Sequence, residues 1–281
     1  MTVSAPLGVV AGTGNLPVRV VEAARAQGQD VHVIRILGFE EPLLSECPGE
    51  VLSLGELGHM LKSLKAAGCK ELVFAGKVSR PDFASLKLDW RATRLLPKVM
   101  KAARQGDDAL LQVLLEFFSK EGFVIRGAEE VAGILTAPSG LIAGPMPSEA
   151  AMADIRRGRD VAVNIGRLDI GQGCVVCDGL VLAVEAQEGT DKMLERCAAL
   201  PADVRGTQDA PRGVLVKVPK PMQNTKIDLP TLGVSTLQRV RAAGLAGVAF
   251  EGGRALLIDR EDMEAFCIAE GVFLYGLDAL P

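Results

Sequence analysis

The sequence predicts an α/β protein, with a Rossmann-like parallel-sheet domain first and a mixed α/β domain after it. Three observations carry that expectation. Short, continuously apolar runs alternate with helical stripes through the first half, as strands buried on both faces of a parallel sheet require. Gly12-Thr-Gly-Asn-Leu-Pro17 stands at the first strand-to-helix turn, where such sheets present backbone amides to anions. The alternation then lapses beyond Val131 to Ser148, an uncharged stretch broken by glycines and prolines. A chain of 281 residues suits two domains, with the divide expected to separate 1–134 from 135–281.

The elements follow in order. Leu7–Ala11 reads as a buried strand, and a helix with Pro17 in its first turn runs to Gly28. Val31–Leu37 is a second strand, which completes a β-α-β unit. A strand is expected near Val51–Leu54, then a helix in which Leu57, Met60, Leu61 and Leu64 form one apolar stripe. A strand at Leu72–Ala75, helices near Trp90–Arg104 and Asp107–Glu121, and a strand at Phe123–Arg126 close the first half. Past the proline- and glycine-rich stretch, read as a linker, come a helix over Ser148–Ile165 and adjoining strands at Cys174–Asp178 and Leu180–Ala186. A short helix follows Thr190, then a strand at Val214–Val218 and a helix over Val234–Ala243. Strands at Gly247–Phe250 and Ala255–Ile258, a helix from Asp259 and a strand at Val272–Tyr275 complete the series.

Composition narrows the chemistry. Hydrophobic residues at 48% and charged residues at 23% give ample core material and exclude disorder. A net charge of −4 argues against broad nucleic-acid binding, which needs a dense basic face. Two histidines, His32 and His59, cannot build a histidine-rich metal centre. Six scattered cysteines and a start lacking the secretory pattern suggest a reduced, cytoplasmic protein.

Several segments have both a functional and an ordinary reading. Gly12-x-Gly14 could cradle phosphate or merely turn, and Pro17 stands where a third dinucleotide-type glycine would be expected. Gly76-Lys77-Val-Ser79-Arg80 follows a strand and offers donors to phosphate or base, or is a solvated loop. Gly106-Asp107-Asp108 reads as helix capping. Cys174-x-x-Cys177 lacks a second pair and reads as buried side chains on a strand. Glu185-Ala-Gln-Glu188-Gly-Thr190-Asp191 is either a helix cap beside solvated glutamates or a hard-cation site. Lys217 to Pro230, stiffened by three prolines, mixes Lys217, Lys220, Gln223 and Lys226 with the single acid Asp228. That mixture suits phosphoryl chemistry, in which charge on oxygen must be neutralised and water oriented.

Taken together, these blocks resemble the LpxI-type UDP-2,3-diacylglucosamine pyrophosphatases of lipid A biosynthesis. They include Asp169-Ile-Gly-Gln-Gly173, Glu188-Gly-Thr-Asp191, Lys217-x-x-Lys-Pro-x-Gln223 and Asp228-Leu-Pro-Thr231, in order along nearly the whole chain. The resemblance implies Mg²⁺-dependent hydrolysis of UDP-2,3-diacylglucosamine to UMP and 2,3-diacylglucosamine 1-phosphate (lipid X), with water attacking the sugar-side phosphorus. It implies an active site in a cleft between two domains, a homodimer, and transient contact of a cytoplasmic protein with the inner-membrane surface. Carried onto this sequence, Asp228 binds Mg²⁺ or activates water, aided by Asp191 with Glu185 or Glu188. Lys220, Gln223 and Lys226 orient the diphosphate. Gly12, Thr13, Gly14, Asn15, Lys77, Ser79 and Arg80 take the UMP half, and Thr190 is a further substrate contact. Two competing readings are a nucleotide-dependent oxidoreductase, in which Glu40 would replace the missing ribose-binding acid, and a non-catalytic lipid or nucleotide carrier.

Overall fold

The computed structural model describes residues 5–79, 86–104, 106–132, 137–220 and 230–278, with the backbone alone at Asp107 and Asp108. The chain divides into two compact units, Met1–Ile134 and Leu135–Pro281.

The first unit contains β1 (Leu7–Ala11), α1 (Asn15–Ala26), β2 (Val31–Ile36), β3 (Gly49–Leu52), α2 (Leu57–Ala66) and β4 (Glu71–Ala75). It continues with α3 (Trp90–Ala103), α4 (Asp107–Lys120), β5 (Val124–Arg126) and α5 (Ala128–Ala132). Its sheet runs β3-β2-β1-β4-β5, and every pairing is parallel. The buried strand β1 shows why its sequence is continuously apolar. Leu7, Val9 and Ala11 pack with Val20, Val21 and Ala24 of α1 and with Ala128 and Val131 of α5. Val10 faces the opposite cluster, with Met60, Leu61 and Leu64 of α2 and Phe118 of α4. Both faces are therefore covered by helices, as the alternating grammar requires.

The second unit contains β6 (Gly140–Ala143), α6 (Glu149–Arg167), β7 (Gly173–Cys177), β8 (Leu180–Val184), α7 (Gly189–Ala198) and β9 (Val214–Lys217). Then come β10 (Thr231–Leu232), α8 (Val234–Ala242), β11 (Gly247–Glu251), β12 (Leu256–Leu257), α9 (Arg260–Glu270) and β13 (Phe273–Leu277). The main sheet has the order β6-β13-β11-β9-β7-β8. Its centre, β13-β11-β9, is parallel, while β6, β7 and β8 pair antiparallel. Val175, Leu215, Val248, Phe250 and Leu274 face the cluster that includes residues of α7, α8 and α9. Cys174, Val176, Val214, Val216 and Ala249 face the cluster that includes α6.

Among the differences from the sequence expectation, two bear on how the elements are joined. The third strand begins two residues early, because Gly49 pairs with Val33 and Ser53 already belongs to the turn into α2, its N–H donating to Glu56 Oε2 at 2.8 Å. The uncharged stretch expected as a linker contains the end of α5 and all of β6, an edge strand held antiparallel against β13. Its glycines and prolines bound that strand and do not prevent it.

Candidate functional site

The amino-terminal glycine turn is closed on itself by backbone bonds. Gly12 N–H donates to Ala75 O at 2.9 Å, Thr13 N–H to Lys77 O at 3.1 Å, and Lys77 N–H to Thr13 O at 2.8 Å. Thr13 Oγ1 also donates to Lys77 O. A Cβ on Gly12 would stand 2.5 Å from Lys77 O, and one on Gly76 would stand 2.8 Å from the carbonyl of Gly12. Both glycines are thus required for the β1 and β4 loops to touch. Gly14, at φ +103°, caps α1, and its N–H donates to Glu41 Oε2 at 2.9 Å. A carboxylate therefore already occupies a donor at the positive end of this helix. Asn15, Lys77 and Ser79 are exposed nearby. Glu40, the acid that an oxidoreductase reading would recruit, instead accepts from Gly38 N–H within its own loop at 2.9 Å.

The Cys-x-x-Cys spacing is structural. Cys174 and Cys177 are buried on β7, and a three-residue separation along a strand sends them to opposite faces. Burial pushes their thiols up to about 12 and about 11, so neither is poised as a thiolate ligand.

A denser polar constellation lies where strands of the second sheet begin and end. Gly173, at the start of β7, pairs with Lys217 at the end of β9, and Lys217 pairs with Phe250 near the end of β11. Glu185 directly follows β8, and its N–H donates to Gly173 O at 2.8 Å. Thr190, in the first turn of α7, donates its hydroxyl proton to Glu185 Oε1 at 2.7 Å. Lys217 Nζ donates to Thr190 Oγ1 at 2.8 Å. Glu185 and Lys217 are 7% and 5% exposed, and Glu185 Oε2 is buried with no hydrogen-bond partner among the described residues. Further along, Lys220 Nζ pairs with Asp169 Oδ1.

The other acids of this stretch face elsewhere. Glu188 pairs with Arg196 at 2.8 Å, and that hydrogen bond holds its carboxyl below the ordinary glutamate range. Asp191 pairs with Arg239 at 3.3 Å. The first turn of α7 therefore joins Thr190 to Glu185 and Lys217, while it does not gather Glu185, Glu188 and Asp191 into one carboxylate cluster. The helix cap expected there is absent as well: the N-cap Glu188 makes no side-chain capping bond. Arg80, Gln223, Lys226 and Asp228, with the side chains of Asp107 and Asp108, lie outside the described residues.

The sequence places Lys217 only among the cations of the Lys217–Pro230 strip, without a role of its own, and does not mark Asp169 as the partner of Lys220. A lysine closing an otherwise apolar strand, Val214-Leu-Val-Lys217, was the available signal.

Comparison with known proteins spans the whole architecture. Residues 6–135 match the model of the LpxI N-terminal domain, and residues 138–275 match that of the LpxI C-terminal domain. A relative from Caulobacter vibrioides, named UDP-2,3-diacylglucosamine pyrophosphatase LpxI, is 51% identical over 272 residues, covering 97% of each chain. With both domain models matched in order and half of all positions shared along nearly the full length, this chain belongs to the LpxI family.

Proposed function

We propose that this protein is a UDP-2,3-diacylglucosamine pyrophosphatase of lipid A synthesis that releases UMP and 2,3-diacylglucosamine 1-phosphate. The observation that carries the reading is the 51% identity over 97% of both chains to a relative bearing that name. In this scheme a water oxygen bonds to the sugar-side phosphorus, the bond from that phosphorus to the bridging oxygen breaks, and UMP departs with the bridging oxygen. Lys220, Gln223 and Lys226 orient the diphosphate, and Asp228 receives the water's proton or holds the metal.

Mg²⁺ is part of the proposal, and the described residues offer it little. No group of three His, Cys, Asp or Glu side chains is gathered among them. They do offer the buried, unpartnered Glu185 Oε2. Mg²⁺ is commonly held by one or two carboxylates completed by phosphate oxygens and water, so this single oxygen fits, with Asp228 as the second ligand. Bound there, the ion would offset negative charge on the diphosphate. Glu188 and Asp191 could join only by leaving their arginines.

The test is UMP release from the purified lipid substrate, with Mg²⁺ and again with excess EDTA. Release only with Mg²⁺ is the expected result. Ligand retained without turnover would favour a carrier. The same reading makes the protein a homodimer that visits the cytoplasmic face of a membrane to collect its lipid. Among the described residues no helix is long and apolar enough to span one.

The UMP half is assigned to the first unit, through Gly12, Thr13, Gly14, Asn15, Lys77, Ser79 and Arg80. Because Glu41 already occupies the Gly14 N–H, a phosphate arriving there must displace a like charge. Glu41→Ala is therefore expected to tighten UMP binding about two- to fivefold at low salt, the scale of helix-end electrostatics. An unchanged Kd by calorimetry would remove the phosphate from this helix end.

A further inference from the structure

We infer that Lys217 is the ammonium that grips the substrate's diphosphate, and that Thr190 and Glu185 are the positioning residues that aim it. The inference deepens the proposed function and rests on it for the identity of the substrate.

The hydrogen-bond chemistry of the trio allows only one polarity. A lysine ammonium has donors only, a carboxylate has acceptors only, and a hydroxyl has both. With Thr190 Oγ1 2.7 Å from Glu185 Oε1 and 2.8 Å from Lys217 Nζ, its proton must go to the glutamate and its lone pair must face the lysine. The hydroxyl therefore cannot rotate without breaking a bond, and Nζ is fixed in place. A lysine at a strand end ordinarily extends its stem to put the charge in water. Here the residue is 5% exposed and its head turns back onto a hydroxyl. A direct contact with Glu185 would tie the ammonium to the carboxylate. Interposing Thr190 keeps the counter-charge close, which offsets burial of the cation, while leaving N–H groups of Nζ to meet an anion.

The surroundings support the same role. A Cβ on Gly173 would stand 2.8 Å from Glu185 Oε2 and 3.4 Å from Lys217 Cγ, so the bare glycine leaves room for both side chains. Val218 N–H donates to Gln172 O at 3.0 Å, which ties down the chain just after Lys217. Three residues beyond Lys217, Lys220 is held by Asp169. Two anchored lysines at and just beyond the end of β9 match the charge of a diphosphate.

The experiment uses the full chain and two readouts: calorimetric titration with inorganic pyrophosphate in EDTA, and UMP release with Mg²⁺. Thr190→Val and Lys217→Met are each expected to weaken pyrophosphate binding about tenfold or more, the scale of a hydrogen bond to a charged group. Thr190→Ser, which keeps the hydroxyl, should recover most of the loss seen with Thr190→Val. Should Thr190→Val fail to fold, Gly173→Ala replaces it, since the added Cβ displaces the Glu185 carboxylate without deleting a group. It should show the same loss. Wild-type pyrophosphate affinity in the folded Thr190→Val or Gly173→Ala protein overturns the inference, as does a Thr190→Ser protein as impaired as Thr190→Val. If such a variant also releases UMP normally, the inference falls while the proposed function stands. If wild type binds pyrophosphate through Lys217 and Thr190 yet releases no UMP, the grip stands and the proposed substrate falls.

Discussion

Asp228→Ala is expected to lower Mg²⁺-dependent UMP release about a thousandfold, the upper range for losing a preorganised group that acts at developing charge, and to leave thermal unfolding unchanged. The two halves of this expectation have separate grounds. The catalytic half rests on chemistry: between Lys217 and Pro230, Asp228 is the only acid among three lysines and a glutamine, so it alone there can accept a proton from water or ligate a metal. The stability half rests on how the ends of that strip are tied. Val218 N–H bonds Gln172 O at 3.0 Å, and Leu256 N–H bonds Pro230 O at 2.9 Å. Neither bond involves Asp228, so the strip should keep its endpoints in the variant. UMP release within a few-fold of wild type would move the catalytic role to another residue; a large fall in melting temperature would make the variant uninformative about chemistry and Asp228 structural.

What the sequence disclosed depended on how local the cause was. The first sheet was legible because its inner strands are largely apolar on both faces and α2 carries one apolar stripe, so periodicity alone located β1, β2, α2 and β4. The glycine turn was located correctly, but the reason for its glycines was not legible. Gly12 and Gly76 are bare so that the loops leaving the neighbouring strands β1 and β4 can bond each other, a contact between residues far apart in sequence. Edge strand β6 was hidden for a related reason. Its short Gly-Leu-Ile-Ala run becomes a strand only when β13 pairs with it. The polar site divides in the same way. The block Glu185 to Asp191 stood out as acidic, yet only the geometry separates Glu185, turned inward to Thr190, from Glu188 and Asp191, turned outward to arginines. Lys217 acquires a role only when β9 meets β7 and α7.

The second unit should be most sensitive to Asp154→Ala, a site that took no part in the functional reading. Asp154, on α6, is 2% exposed, and its carboxylate accepts the N–H groups of Asp178 and Gly179 at 3.0 and 2.7 Å. Those two residues form the whole connection between β7 and β8, with φ of +50° and +78°, the left-handed pair that a two-residue hairpin demands. Such a turn leaves its two central amides without partners in the ladder, and here a buried carboxylate on the covering helix takes both. The alanine variant loses two charge-assisted hydrogen bonds at once and leaves a void under the turn. The expected cost is about 3 kcal/mol, or roughly 6–12 °C in melting temperature for a unit of this size. Asp154→Asn, which retains one acceptor oxygen, should fall between the two. The hairpin also carries β8, and Glu185 directly follows that strand, so loosening the turn should lower pyrophosphate affinity as well as stability. A melting temperature within 2 °C of wild type would show that the Asp-Gly turn holds its shape from its own backbone preference, with Asp154 contributing little.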